Sequence, residues 1–199
     1  MSEQAQVHRR GRPPSTSPRE LELIALRLFT ANGFDETTVE QIAEQAGVSA
    51  RTFFRYFDSK TAVLWHAFDD EVRNLRAALA EIPPSIPLLD AIRQAVVSVN
   101  RYTAADVPEL RHRINLISTV PALQASAAPH YDAWERAIID FAAHRLGQPS
   151  GSLIPLAVGR ATLAVCRAAY ELWVTRADAD LTVYLDEAIH AMAVGFAVA

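Results

Sequence analysis

Cysteine is almost absent, with Cys166 alone in 199 residues. A disulfide scaffold is therefore excluded. A single thiol without partners fits a reducing compartment, and a small buried core residue is its ordinary reading. Glycine is scarce at 7 residues, too few for a collagen-like chain. Lysine is nearly missing: Lys60 stands alone and arginine supplies the other positive charges, a bias that a GC-rich genome explains. The first ten residues, MSEQAQVHRR, contain no apolar run of a secretory signal. The longest stretch without a charged side chain, Ile114 to Tyr131, is broken by Pro121 and Pro129 and does not read as a membrane span. Disorder needs low hydrophobicity and high net charge, whereas this chain is 50% hydrophobic with a net charge of −4. What is left is a soluble, intracellular chain without a membrane partner, long enough for one ordinary domain or two small ones.

The charge is unevenly spread. Residues 1–60 hold eight basic and eight acidic side chains, and the remainder holds 11 basic and 15 acidic. The acidic excess thus lies outside the N-terminal third, where the overall sign says little about affinity for nucleic acid. Apolar residues recur with helical spacing and no stretch alternates with period two, so the expected fold class is all-α, with about nine helices and no internal repeat. Residues 1–16, ending in H-R-R-G-R-P-P, read as a flexible basic arm. Ser17, Pro18 and Glu20 form a helix start, with a capping-box spacing and proline in the first turn. Thr38 opens a second, short helix with T-V-E-Q, Gly47 breaks it, and Ser49 caps a third, A-R-T-F-F-R-Y-F, with Phe53 and Phe57 inward. A longer helix follows from Asp58-Ser59. Beyond Pro83, Pro84 and Pro87, helices are expected at about 88–102, 106–118, 133–146, 153–174 and 181–198, with one short turn between 119 and 129. The expected organisation is an arm over 1–16, a first helical domain over 17–62 and a second helical domain over 63–199.

Two short helices joined by A-E-Q-A-G-V-S have the spacing of a helix-turn-helix. Gly47 permits the positive φ of a sharp turn, Val48 fills the angle between the helices, and Ser49 satisfies amides at the start of the second. On that second helix Arg51 and Arg55 lie one turn apart, on the same face as Phe54. Guanidinium groups read guanine O6 and N7 or grip phosphates, and an aromatic ring packs on a thymine methyl. A merely solvated helix gives no reason for a phenylalanine between two exposed arginines. In the arm, Arg9, Arg10 and Arg12 are placed to neutralise phosphates or enter a minor groove.

The run T-T-V-E-Q-I-A-E-Q-A-G-V-S-A-R-T-F-F-R-Y-F-D-S-K-T-A-V-L closely resembles the DNA-binding domain of the TetR family of transcriptional repressors, over about Pro18 to Trp65. The resemblance implies a homodimer whose two recognition helices enter successive major grooves of a palindromic operator, about 34–36 Å apart. It also implies that Thr38, Thr52, Tyr56 and Lys60 hold phosphates and that Ser49, Ala50, Arg51, Phe54 and Arg55 form the recognition surface. Two departures stand out: Arg51 replaces the small residue common there, and Phe54 replaces the usual tyrosine and so lacks its hydroxyl.

Further along, P-E-L-R-H-R-I-N-L-I-S-T-V-P-A-L-Q and Y-D-A-W-E-R-A-I-I-D-F-A-A-H-R-L-G resemble the branch of that family associated with mycofactocin systems and relatives with an acyl-CoA-like ligand-binding domain. A long acyl chain needs an apolar tunnel, at roughly 0.8 kcal/mol per buried methylene, and the coenzyme phosphates need arginine at its mouth. Arg101, Arg111 and Arg113 are the candidates for the mouth. Trp65, Phe68, Leu116, Trp134, Ile138 and Phe141 are the candidates for the walls. Residues 153–174 and 181–198 are too apolar for solvated helices. By resemblance they pair with their symmetry mates, which would cover Tyr170, Trp173 and Val174; burial within one chain is the competing account. The six histidines are scattered without ligand spacing, and the nucleotide and nucleophile-elbow motifs are missing. No metal, no cofactor and no enzymatic activity are therefore expected. A regulator of efflux genes sensing a hydrophobic drug is the nearest alternative, and an all-α protein- or lipid-binding module without a DNA role is the alternative of another class.

Overall fold

The computed structural model describes residues 16–176 and 178–195. Among them are ten α-helices and no strand: α1 (Pro18–Asn32), α2 (Val39–Gln45), α3 (Ala50–Phe54), α4 (Ala62–Glu81), α5 (Leu88–Val99), α6 (Val107–Thr119), α7 (Pro121–Ala125), α8 (Ala128–Leu146), α9 (Leu153–Arg176) and α10 (Leu181–Ala193). The all-α expectation holds, and the short turn expected between 119 and 129 is a helix of its own. Differences at the ends of elements have local causes. α8 begins five residues before the expected start, because Pro129 lies in its first turn, where a missing N–H costs nothing. α5 stops at Val99, where the Asn100 side chain turns back to donate from Nδ2 to the Val96 carbonyl at 2.9 Å.

The chain divides into two compact units, one ending at Val63 and the other beginning at Leu64. In the first, Leu21, Ile24, Ala25 and Phe29 of α1 are buried, as are Ile42 and Ala43 of α2, Phe53 of α3 and Phe57. Large side chains of this kind contribute about 1.5–3 kcal/mol each on full burial. Ser17 caps α1 by accepting from the Glu20 amide at 3.1 Å, while the Glu20 carboxylate accepts from the Thr16 hydroxyl. The box at Thr38 is complete: its hydroxyl accepts from the Gln41 amide and the Gln41 side chain accepts from the Thr38 amide. Two polar residues are unexpectedly enclosed. Glu22 pairs with Arg19 at 3.0 Å, and the Thr37 hydroxyl donates to the Gly33 carbonyl at 2.8 Å, tying the α1–α2 loop.

In the second unit α9 packs against α8 and α10, and α10 also against α5. The core includes Leu75, Leu79, Ile92, Val96, Ile138, Trp173, Leu185 and Ile189. Helices α8 and α9 approach closely at Gly159. A Cβ there would stand 2.4 Å from Ile139 Cγ1 and 3.1 Å from the Glu135 carbonyl oxygen, so a side chain has no room. By length and hydropathy α9 would suffice to cross a membrane. Its apolar character has a local explanation, since Gly159, Thr162, Cys166, Ala169 and Trp173 form one inward side.

That inward side corrects part of the expected dimer contact. Trp173 is 1% exposed, donates from Nε1 to the Ala179 carbonyl at 3.1 Å, and carries the Arg111 guanidinium 4.5 Å over its ring. Tyr170 donates its hydroxyl to Asn100 Oδ1. Both therefore belong to the interior of their own chain, and Val174 is half-buried against the same core. Among the exposed residues of α9, Ala157, Ala161, Ala164, Ala168 and Leu172 recur at helical spacing.

Candidate functional site

The first unit presents a small convex surface built from the α2–α3 turn. Gly47 has a φ of 68°, in the left-handed region that a side chain resists. The Val48 amide donates back to the Ala43 carbonyl at 2.9 Å, which closes the turn. Ser49 then caps α3, its Oγ accepting from the Thr52 amide at 3.3 Å and meeting the Thr52 hydroxyl at 3.2 Å. Phe53 fixes the inner side of α3, with its ring 5.3 Å from Phe57 and 5.5 Å edge-on to Phe54. Phe54 itself is 51% exposed, beside the exposed Arg51 and Arg55. An apolar ring held in water between two cations, on an element anchored by its neighbour, is a surface shaped to meet something else.

The expected DNA contacts fall into five groups. Arg9, Arg10 and Arg12 lie outside the described residues. Thr38 and Ser49 are exposed cap residues, with Ala50 and Thr52 half-buried beside the second cap. Arg51 and Phe54 face outward. Arg55 turns to its neighbour, donating from Nη2 to the Tyr56 hydroxyl at 2.9 Å, and that hydroxyl donates to the Thr16 carbonyl at 3.2 Å. Lys60 departs from the expected phosphate role. Its Nζ donates to the carbonyls of Phe34 at 2.7 Å and Thr37 at 2.9 Å, approaches that of Asp35 at 3.5 Å, and lies 4.3 Å over the Phe34 ring. An ammonium has three protons, and three carbonyls meet them. Lys60 is a fastener of the α1–α2 loop.

The second unit contains a partly open cavity of about 600 Å³, within the range of small-molecule sites. Of the expected walls, Trp65, Phe68 and Trp134 line it, and of the expected arginines only Arg113 does. Leu116, Ile138 and Phe141 do not. On α6 the cavity side is Leu110, Arg113, Ile114 and Ile117, and Leu116 turns away from it. Ile138 and Phe141 continue α8 beyond the cavity into the core. Arg101 is exposed away from the cavity, and Arg111 is held on Trp173. The expected cluster of three arginines therefore does not assemble.

Several lining residues were not expected: Glu71 of α4, Asn100 after α5, and Cys166, Arg167, Tyr170 and Glu171 of α9. The spacing of the last four along one helix was the available signal. Burial, and then the Glu71 carboxylate, raise the Tyr170 phenol well above its ordinary range; Tyr102, whose hydroxyl donates to Glu71, is raised by the same two causes. Burial pushes the Cys166 thiol up to about 12. Tyr131 is raised by burial, with Arg167 and Glu171 acting on it in opposite directions. Arg113 is paired with Glu109 at 2.7 Å. Beside the cavity, Trp65 donates from Nε1 to Ser126 Oγ at 3.0 Å and stacks on His130 at 4.5 Å, and His130 meets Asp69 at 2.8 Å. Among the described residues no group of three potential ligands could hold a metal ion.

A helix-turn-helix unit followed by a helical unit that holds a cavity is the architecture of a DNA-binding transcriptional regulator. Residues 24–66 match the family of bacterial regulatory proteins called tetR, and residues 86–197 match the MftR C-terminal domain. The chain is 34% identical to the mycofactocin biosynthesis regulator MftR assigned in Mycobacterium tuberculosis, over 93% of each chain. It is also 32% identical to the regulator TcmR of Streptomyces glaucescens, over 79% of this chain and 73% of that one. Among solved structures, FadR of Thermus thermophilus, a repressor in complex with lauroyl-CoA, superposes with a TM-score of 0.63 at 21% identity, covering 92% of this chain and 96% of that one. NalD of Pseudomonas aeruginosa, a repressor of a multidrug efflux pump, gives 0.62 at 16% identity, covering 89% and 94%. The chain belongs to the TetR family of transcriptional regulators and carries the MftR type of C-terminal domain. Regulators of this family bind operator DNA, act as dimers and bind small-molecule effectors; they are not a family of enzymes.

Proposed function

We propose that this chain is a cytoplasmic repressor, without a membrane or catalytic role, which leaves its operator when a largely apolar molecule occupies the 600 Å³ cavity. The observation that carries the DNA half is the exposed Arg51–Phe54 pair on a helix capped by Ser49 and anchored by Phe53. Arg51 and Phe54 read bases, Arg55 reaches base or phosphate, and Thr38, Ser49, Ala50, Thr52 and Tyr56 lie against the backbone. The basic arm completes the surface. Residues 16–63 carry five basic side chains against seven acidic ones, so Arg9, Arg10 and Arg12 supply positive charge that the folded unit lacks. Two copies associate through the alanine stripe of α9, Ala157 to Ala168, with Leu172 and with Val183 of α10, all of which the single chain leaves exposed.

The effector half rests on the apolar walls supplied by Trp65, Phe68, Ile114, Trp134 and Leu163. A long-chain acyl-CoA is one candidate, supported by the lauroyl-CoA held in the FadR structure. A hydrophobic drug is the other, supported by the efflux repressor NalD. Because coupling is reciprocal, operator DNA weakens effector binding by the same factor that effector weakens DNA binding. Anisotropy titration against a labelled fragment from upstream of its own gene tests the whole reading. Saturable binding that falls with salt and is reversed by effector is expected. A chain that ignores every such fragment is an all-α binding module instead. Thermal-shift screening with acyl-CoAs and with hydrophobic drugs separates the two effector classes, because only the true ligand raises stability by mass action.

A further inference from the structure

Resting on the reading of the cavity as the effector site, we infer that Asn100, held by Tyr170, seats an uncharged oxygen of the ligand, a carbonyl or hydroxyl joined to an apolar body.

Asn100 is buried and lines the cavity, and its hydrogen bonds can be counted. A backbone carbonyl only accepts, so the amide nitrogen faces Val96, to which Nδ2 donates at 2.9 Å. Oδ1 therefore faces Tyr170 and accepts its hydroxyl. One amide proton is used and the other is not. A buried donor of this kind costs free energy until something accepts from it, and the Tyr170 bond prevents the amide from rotating to hide it. The acceptor that fits is a ligand oxygen beside the apolar walls. Its charge is decided by the neighbours. The Glu71 carboxylate lines the cavity with Asn100 and accepts from the Tyr102 hydroxyl. Burial first, then Glu71, keeps the Tyr102 and Tyr170 phenols neutral, so a carboxylate already stands where a second anion would have to sit. Arg113 lines the same cavity and acts against Glu71 on Tyr102, but it also pairs with Glu109 at 2.7 Å. Arg167 has Glu171 one turn on, so each lining cation is matched by a carboxylate and none is left over for an anionic ligand. An alcohol, an ester or a thioester meets these conditions, and a free carboxylate does not.

The test uses the full-length protein and four probes of matched chain length: decane, decanol, methyl decanoate and decanoate. Quenching of tryptophan fluorescence reads binding, since Trp65 and Trp134 line the cavity. Decanol and methyl decanoate should bind roughly tenfold more tightly than decane, the effect of one hydrogen bond, with decanoate no tighter than decane. Asn100→Leu should erase that preference, read as the ratio of decanol to decane affinity in the variant. Tyr170→Phe keeps the donor but frees the amide, and should lower the preference about threefold; it carries the test if the first variant unfolds. Tightest binding by decanoate, or a preference that survives both substitutions, overturns the inference while leaving the cavity as effector site. Failure of all four probes to bind removes the effector reading itself, and the inference with it.

Discussion

The two units place their candidate sites in opposite ways. The first displays its site on the outside, within fewer than twenty consecutive residues, from Thr38 to Tyr56. The second places its site inward and draws it from α4 to α9, with Glu71 and Tyr170 ninety-nine positions apart in sequence. An outward site can change its side chains one at a time without disturbing the core, provided the caps and the inward aromatics persist. An inward site shares its walls with the core, so each change of ligand is also a change of packing. Regulators that keep one DNA-binding design while sensing different molecules therefore need the second unit to be the adaptable one in packing, and the first to be adaptable only at its surface.

The sharpest way to break this comparison is to damage each core separately. Phe53→Ala removes a ring that is 0% exposed beneath the recognition surface, and Ile138→Ala does the same in the second unit. Losses of about 3–5 kcal/mol for the phenylalanine and about 2–5 kcal/mol for the isoleucine are expected. The first should abolish operator binding and leave ligand-induced quenching intact, and the second should do the reverse. Parallel loss of both activities in either variant, read by anisotropy and fluorescence on the same preparation, would show that the units do not fail independently. Gly159→Ala comes next. Its Cβ would overlap Ile139 and press on the Glu135 carbonyl, so forcing α8 and α9 apart should cost about 1–3 kcal/mol, read as a lower denaturant midpoint.

Arg51 and Lys60 sharpen the comparison within the first unit. Both are cations near the turn, but only Arg51 is turned to solvent. Arg51→Ala should cost about 1–3 kcal/mol of operator affinity and relax preference at one base position. Lys60→Ala should instead lower the stability of the first unit by about 1–3 kcal/mol, because carbonyls of Phe34 and Thr37 lose a charged donor. The dependence of DNA affinity on salt should be unchanged in the lysine variant. A shallower salt dependence would restore it to the phosphate-binding set.

What could be read from the sequence follows the same division. Capping residues, the glycine turn and the 3.6-residue period are local signals, so α1 to α3 and the exposed Arg51–Phe54 pair were legible. Lys60 was misplaced because its partners, the carbonyls of Phe34, Asp35 and Thr37, lie some 25 residues away and belong to backbone, which sequence pattern does not mark. In the second unit the all-helical class was legible, as were three of the six expected wall residues. Leu116, Ile138 and Phe141 share the apolar character and spacing of true wall residues, and periodicity alone cannot divide a helix face that packs on protein from one that packs on empty space. Trp173 was assigned outward because α9 is apolar nearly all round, whereas the alanines on its outer side, not the tryptophan, are what the fold leaves uncovered. Nothing in the sequence marks Asn100, and Tyr170 is marked there only as an expected dimer contact, not as its hydrogen-bond partner.

The smallest expected effect concerns Cys166, where the two units differ in chemistry as well as position. The first unit has no cysteine, and the single thiol of the chain lies buried against the cavity, pushed up to about 12 by burial. Its folded value lies above its unfolded value near 9, so the folded state favours the protonated thiol. The contribution to stability is complete below about pH 9 and is lost as the pH rises towards 12. Cys166→Ala removes this titration, and the melting temperature of the variant should fall less steeply between those limits than that of the parent. Tyr102 and Tyr170 are raised in the same sense and persist in the variant, so only part of the alkaline decline should vanish. An unchanged slope would mean that water reaches the thiol through the cavity. A ligand that fills the cavity should then steepen the decline in the parent and leave the alanine variant as it was.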